Sequence, residues 1–154
     1  MIKFNEKELK KFEILENTDL LGKIFYFGTI DEISNLYDNN INIQKTISGG
    51  KNIGDISTVT LKIKIPSELK NEKQFIINDI VPNGMRFVGS DVNYLKDSQK
   101  LKFVIYNNYG KFEYIINYNV RNVLQGEYKI EPAIVSTINF DNWGYSDETK
   151  ITIE

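Results

Sequence analysis

The sequence predicts an all-β protein, an antiparallel β-sandwich with a short N-terminal extension that can carry a strand of its own. Three observations predict it. First, Ser57 to Ile65 alternates without a break: Val59, Leu61, Ile63 and Ile65 point one way, Thr58, Thr60, Lys62 and Lys64 the other. That is the pattern of a strand with one dry and one wet face. Second, short runs of Ile, Val, Tyr and Phe recur between turn signals such as Pro82-Asn83-Gly84 and Gln125-Gly126. β-branched and aromatic side chains fit a pleated, half-buried surface. Third, almost no stretch repeats its apolar residues at helical spacing. No fixed-period repeat or low-complexity tract points to a solenoid or propeller.

In chain order, Met1 to Leu15 mixes charge with Phe4, Leu9, Phe12 and Ile14, as a short helix or a loose lead-in would. Gly22 to Ile30 is apolar and aromatic and reads as a buried strand. Asp31 to Asn40 reads as a loop or one helical turn, and Ile41 to Ile47 as a strand. Ser48-Gly49-Gly50-Lys51-Asn52 is a turn. The one internal boundary falls there, with residues 1–50 as a lead-in (the end of a preceding domain, or extra strands) and residues 51–154 as the sandwich.

Pro66 ends the alternating strand, and Ser67 to Lys73 suits a helical turn capped by Ser67. Phe75 to Val81 is the next strand. It closes at Pro82-Asn83-Gly84, where Pro presets φ and Asn-Gly tolerates a positive φ. Leu101 to Tyr106 is a strand, followed by a turn at Asn107 to Gly110. Lys111 to Arg121 places Phe112, Tyr114, Ile116, Tyr118 and Val120 on one face. Glu127 to Glu131, Ala133 to Ile138 and Thr149 to Ile153 complete the strands, and Asn139 to Ser146 is a loop.

Composition narrows the function. The chain has 154 residues, suiting one domain with an extension, and a 26% charged fraction typical of globular proteins. It has no His and no Cys, which removes the commonest catalytic and metal-binding side chains, disulfides and thiolate nucleophiles. Net charge is −2, and the lysines are scattered among apolar residues, so no basic footprint for nucleic acid forms. No run reaches the roughly 18 apolar residues of a membrane span. Lys7, Lys10 and Lys11 are not followed by an apolar core, so an export signal of the parent protein is expected upstream. No phosphate loop or paired-carboxylate arrangement supports an enzyme, and no cofactor or metal is expected. Asp141, Asn142, Asp147 and Glu148 offer oxygen ligands but lack the spacing and central Gly of a calcium loop.

Two places remain as candidate sites. Asp79 lies on the side of its strand that carries Phe75 and Ile77, which suggests a buried carboxylate. It suits either a structural corner with Pro82, Asn83 and Gly84, accepting hydrogen bonds from the turn backbone, or an acid assisting an internal Lys-to-Asn bond, as in some bacterial surface sandwiches. Phe140, Trp143 and Tyr145 gather three aromatics in a polar loop. They form either a partner-contact surface or a cap on the end of the sandwich.

The order of the motifs resembles the C-terminal macroglobulin-type domain of bacterial alpha-2-macroglobulin-like proteins, an immunoglobulin-like sandwich. Gly54-Asp55 before the alternating strand, Asp79-Ile80-Val81-Pro82-Asn83-Gly84-Met85, Tyr118-Asn119-Val120-Arg121-Asn122-Val123, Gly126-Glu127-Tyr128, Pro132-Ala133 and Gly144-Tyr145-Ser146 are similar to that family's pattern. Asn83 and Glu131 depart from it. The resemblance implies a non-catalytic module of an exported, cell-surface protease inhibitor, packing beside a separate thioester domain through the loop that holds Phe140 and Trp143. An immunoglobulin-like stalk or adhesion domain of a bacterial surface protein is the alternative; Arg121 and Pro132-Ala133 favour the first.

Overall fold

A computed structural model describes residues 40–108 and 111–154. The expected helix or lead-in at Met1 to Leu15, the strand at Gly22 to Ile30 and most of the Asp31 to Asn40 loop lie outside those residues. So do the last two residues of the Asn107 to Gly110 turn.

The described chain is all β. Strands β1 (Asn42–Gly49), β2 (Ile56–Lys64), β3 (Gln74–Ile80), β4 (Met85–Ser90), β5 (Tyr94–Asp97), β6 (Lys100–Tyr106), β7 (Glu113–Asn122), β8 (Gly126–Ile130), β9 (Ile134–Thr137), β10 (Trp143–Tyr145) and β11 (Thr149–Ile153) follow one another. They form a four-stranded sheet in the order β1-β2-β7-β4, a five-stranded sheet in the order β10-β9-β3-β6-β5, and a β8-β11 pair. Every pairing is antiparallel.

The alternation read from the sequence sets the inner faces. Val59, Leu61 and Ile63 of β2 and Tyr118 and Val120 of β7 are at most 1% exposed. Phe75 and Ile77 of β3, Leu101 and Phe103 of β6 and Val135 of β9 meet them in one core. Ile153 of β11 joins it, and Tyr128 of β8 packs against it. The other face of the four-stranded sheet is mainly polar, with Ile56, Val88 and Ile115 exposed among the polar side chains. There Thr58 and Thr60 donate across the sheet to the side-chain carbonyls of Asn119 and Asn117 at 3.0 and 2.9 Å, pairs that steady neighbouring strands.

β1, where a strand was expected at Ile41 to Ile47, is a full member of the four-stranded sheet, paired with β2 from Asn42↔Lys64 to Gly49↔Ser57. Other elements differ from the sequence reading. β4 and β5 form in a segment whose sequence shows no clear alternation, because β4 shifts register between Phe87 and Gly89 and β5 is exposed throughout. The aromatic loop holds a short strand, β10, on the sheet edge. Among the described residues only Ser67–Leu69 is helical, as one 3-10 turn. Pro66, not Ser67, stands at its N-cap, and no side chain caps it. Phe112 lies just before β7 and is 41% exposed, so the apolar face of that strand begins at Tyr114.

Candidate functional site

The sequence of β1 reads Ile41-Asn42-Ile43-Gln44-Lys45-Thr46-Ile47, and alternation puts Lys45 on the same side as the isoleucines. The structure follows the alternation and buries the lysine, which is 5% exposed overall. Across the core, β3 presents Asp79 at 3% exposure from the stripe of Phe75 and Ile77. The Lys45 Nζ lies 2.5 Å from the Asp79 Oδ1. The pair therefore joins the first strand of the four-stranded sheet to the middle strand of the five-stranded one.

The ions are well solvated by protein. Lys45 Nζ also donates to the carbonyls of Glu131, at 3.1 Å, and Ile80, at 3.3 Å. Asp79 Oδ1 accepts the Ile80 backbone N–H at 2.8 Å, and its Oδ2 accepts the Tyr118 hydroxyl at 2.7 Å. Tyr118 reaches it from β7, its ring stacked on Phe103 at 6.1 Å between centroids. Burial pushes the Asp79 carboxyl above its ordinary value of 3.8, against the opposing pull of Lys45, Tyr118 and the Ile80 N–H. Tyr118 is pushed up from 10.0, first by burial and then by the negative charge of Asp79.

The corner expected at Asp79, Pro82, Asn83 and Gly84 divides into two parts. Asp79 binds Lys45, Ile80 and Tyr118, and its hydrogen bonds do not go to the Asn83-Gly84 backbone. The turn closes itself instead, with the Met85 N–H donating to the Pro82 carbonyl at 3.1 Å. Gly84 has φ of +75°, and a Cβ there would lie 2.3 Å from the Tyr128 ring. Its carbonyl accepts from Val123 and Leu124, which docks the turn against the end of β7.

An internal Lys-to-Asn bond assisted by Asp79 would have Lys45 as its nearby lysine. Among the described residues the hydrogen-bond partners of Lys45 Nζ are Asp79, Ile80 and Glu131, and no asparagine is among them. The sequence motifs gave no direct sign of Lys45; the signal was its place on the isoleucine stripe.

The aromatic loop splits as well. Trp143 is 6% exposed, and its ring stacks on Tyr145 at 5.8 Å between centroids. Phe140 is 56% exposed and has φ of +62°. A bulky residue held in the left-handed region is rare and stores strain. Its N–H donates to the Thr137 carbonyl at 3.1 Å, which fixes the tight return from β9. Among the described residues no group of acidic side chains could hold a metal ion.

No family model matches the chain, and no curated protein does. Solved structures do. The chain is similar to the alpha-2-macroglobulin of Escherichia coli from domain MG7 to the C-terminus, with TM-score 0.61 and 13% identity over 75% of this chain and 24% of that one. It is also similar to BcpA, the major pilin subunit of Bacillus cereus, with TM-score 0.54 and 17% identity over 73% of this chain and 40% of that one. The full-length major pilin SpaD of Corynebacterium diphtheriae gives TM-score 0.55 and 19% identity over 73% of this chain and 34% of that one. At such identities the likeness is one of fold. The fold is thus the immunoglobulin-like sandwich that macroglobulin and pilin domains share, and the chain spans less than half the length of each.

Three outcomes are expected. Lys45→Met leaves a buried carboxylate without its cation and should cost about 3–5 kcal/mol. The double variant Lys45→Met, Asp79→Leu should recover most of that loss, measured by urea unfolding. Because the folded pKa of Tyr118 is raised, its contribution is complete below the ordinary value of 10.0 and is lost as pH rises beyond it. Stability should fall through that alkaline range, and less steeply in Tyr118→Phe. The intact mass should equal that of the unmodified sequence; a deficit of one ammonia or one water would instead show an internal amide.

Proposed function

We propose that the chain is a non-catalytic module of a larger, exported bacterial surface protein and works by contact with neighbouring domains. The observation that carries this reading is Phe140. It is a large aromatic, more than half exposed and held in a strained backbone conformation at the end of the sandwich. Exposed, rigidly presented aromatics are the usual anchors of protein contacts. The buried charged cluster supports the same reading, because Lys45 and Asp79 face each other across the core and are closed to any substrate.

In the finer form of the proposal, the module belongs to an alpha-2-macroglobulin-like protease inhibitor. Phe140, with Trp143 and Tyr145 behind it, packs beside the thioester domain and shields it. No helix among the described residues is long and apolar enough to cross a membrane, and contacts with neighbouring domains would hold the module in its place.

A stalk or adhesion domain is the second reading. The likeness to two pilins favours it, as does the ion pair that ties one sheet to the other.

The parent gene and protein separate the two. A Cys-Gly-Glu-Gln-type thioester encoded upstream supports the inhibitor, and tandem sandwich copies with a sortase-type anchor downstream support the stalk. In the thioester-bearing parent, Phe140→Ala should speed thiol release by methylamine several-fold. An unchanged rate removes the shielding role.

A further inference from the structure

The chain carries 19 Lys and Arg residues, and only Arg86 and Arg121 are arginines. The fold sets those two side by side. Arg86 of β4 pairs with Arg121 of β7, and Arg121 pairs in turn with Ile56 of β2. Directly opposite residues of antiparallel strands put their side chains on one face, with Cβ atoms about 5 Å apart. Val120 and Asn122, on either side of Arg121, are buried in the sandwich. The arginine row is therefore on the outward face of the four-stranded sheet, and both arginines are exposed.

Like charges directly opposite each other are unfavourable, and nothing in the described residues offsets this pair. The ion pairs found there all use lysines. The acids that flank β2 and β4 are engaged elsewhere: Asp55 accepts from Asn52, and Asp91 from Asn117. The next outward row holds Ser48, Thr58, Asn119 and Gly89, and no acid.

That row adds a donor and an opening. Asn119 Oδ1 accepts the Thr58 hydroxyl at 3.0 Å, and the Asn119 amide N–H groups have no acceptor among the described residues. Gly89 stands beside Asn119 without a side chain, and a Cβ there would meet nothing within 4 Å. Two planar cationic forks and one amide thus border a shallow space, and every one of these groups is a donor. Two aliphatic side chains adjoin them. Ile56 ends the arginine row and Val88 follows Arg86 on β4, at 43% and 52% exposure.

A ligand that matches this surface carries a negative group and apolar groups side by side. A guanidinium fork binds a carboxylate through two parallel N–H bonds. A bare phosphate or sulfate would also satisfy the arginines, but it would gain nothing from Ile56 and Val88. We infer that Arg86 and Arg121 together hold a carboxylate of an acidic segment in a partner protein, an Asp or Glu flanked by apolar residues that pack on Ile56 and Val88. This contact lies on the other sheet from the turn after β9 that holds Phe140.

Because the chain has two arginines, their side-chain Nε–H signals are easily assigned in nitrogen-15 NMR. The full chain is titrated at low ionic strength with the capped peptide Val-Glu-Val-Glu-Val, with its Gln counterpart, and with inorganic phosphate. The expected result is a saturable shift of both arginine signals and of the Asn119 side-chain amide with the Glu peptide. Binding of the Gln peptide and of phosphate should be several-fold weaker. The double variant Arg86→Gln, Arg121→Gln should lose the shifts that the Glu peptide causes at the Ile56 and Val88 backbone. No shift of the arginine signals with the Glu peptide overturns the inference. So does phosphate binding as tight as that of the peptide, which would make the pair a general anion site, and so does unchanged peptide binding in the double variant. The titrations of the native chain decide the matter even where the variant is unstable. Phe140 plays no part in them, so their failure leaves the contact proposed at Phe140 standing.

Discussion

The fold is organised around one buried ion pair. Lys45 and Asp79 meet in a core otherwise made of Ile, Val, Leu and aromatic rings. Removing two charges from water is unfavourable by several kcal/mol each, and mutual attraction offsets it only when the remaining donors and acceptors are also met. Here they are. The ammonium has two carbonyls besides the carboxylate, and the carboxylate has a backbone N–H and a tyrosine hydroxyl. The surrounding chain must hold these groups in place. The strand that ends at Ile80, the Glu131 carbonyl after β8 and the stacking of Tyr118 on Phe103 can be read as the support of this one contact.

That requirement explains why the Asp79 to Gly84 segment looks so distinct as sequence. Two tasks overlap in a few residues. Asp79 ends a buried stripe and holds the lysine, while Pro82 to Met85 turns the chain and docks on the end of β7 through the Gly84 carbonyl. Gly84 has no freedom to become larger, because Tyr128 sits where its Cβ would be. The turn and the ion pair are neighbours in sequence but separate in chemistry.

The strongest elements were legible in the sequence because their period matched their burial. β2, β3, β6 and β7 alternate cleanly, and their inner residues follow from counting. β4 and β5 were not legible. A register shift breaks the period of β4, and β5 buries nothing, so neither leaves an apolar signature. Asp79 was legible as a buried acid from its parity alone. Lys45 was equally legible by that rule, since it shares a side of β1 with Ile43 and Ile47. Its hydrogen-bond partners lie far away in the chain, on β3 and just after β8, and no local motif records them. The aromatic loop carried too little information to separate Trp143, which is buried, from Phe140, which is not. Both are large aromatics in a polar stretch, and only the pairing of β10 with β9 sets them apart.

A hydrophobic pair of similar volume would often hold two sheets together as well as an ion pair does. What the ion pair adds is register. Among the described residues β1 is an edge strand, with Ile43, Lys45 and Ile47 on one side and Gln44 and Thr46 on the other. A slip of one residue would turn every side chain of β1 to the opposite face. With an all-apolar stripe, that slip would bury Gln44 and Thr46 and expose isoleucines. With Lys45 in the stripe, it would also leave Asp79 charged, buried and without its cation. The second penalty is larger than the first, since an uncompensated buried charge is among the most unfavourable features a core can hold. A slip of two residues keeps the isoleucines inside but moves Lys45 about 7 Å along the strand, beyond reach of the carboxylate. Apolar patterning alone does not oppose that second slip. The ion pair opposes both, so the first described strand is fixed in one position against the sheet it joins and against the sheet it faces.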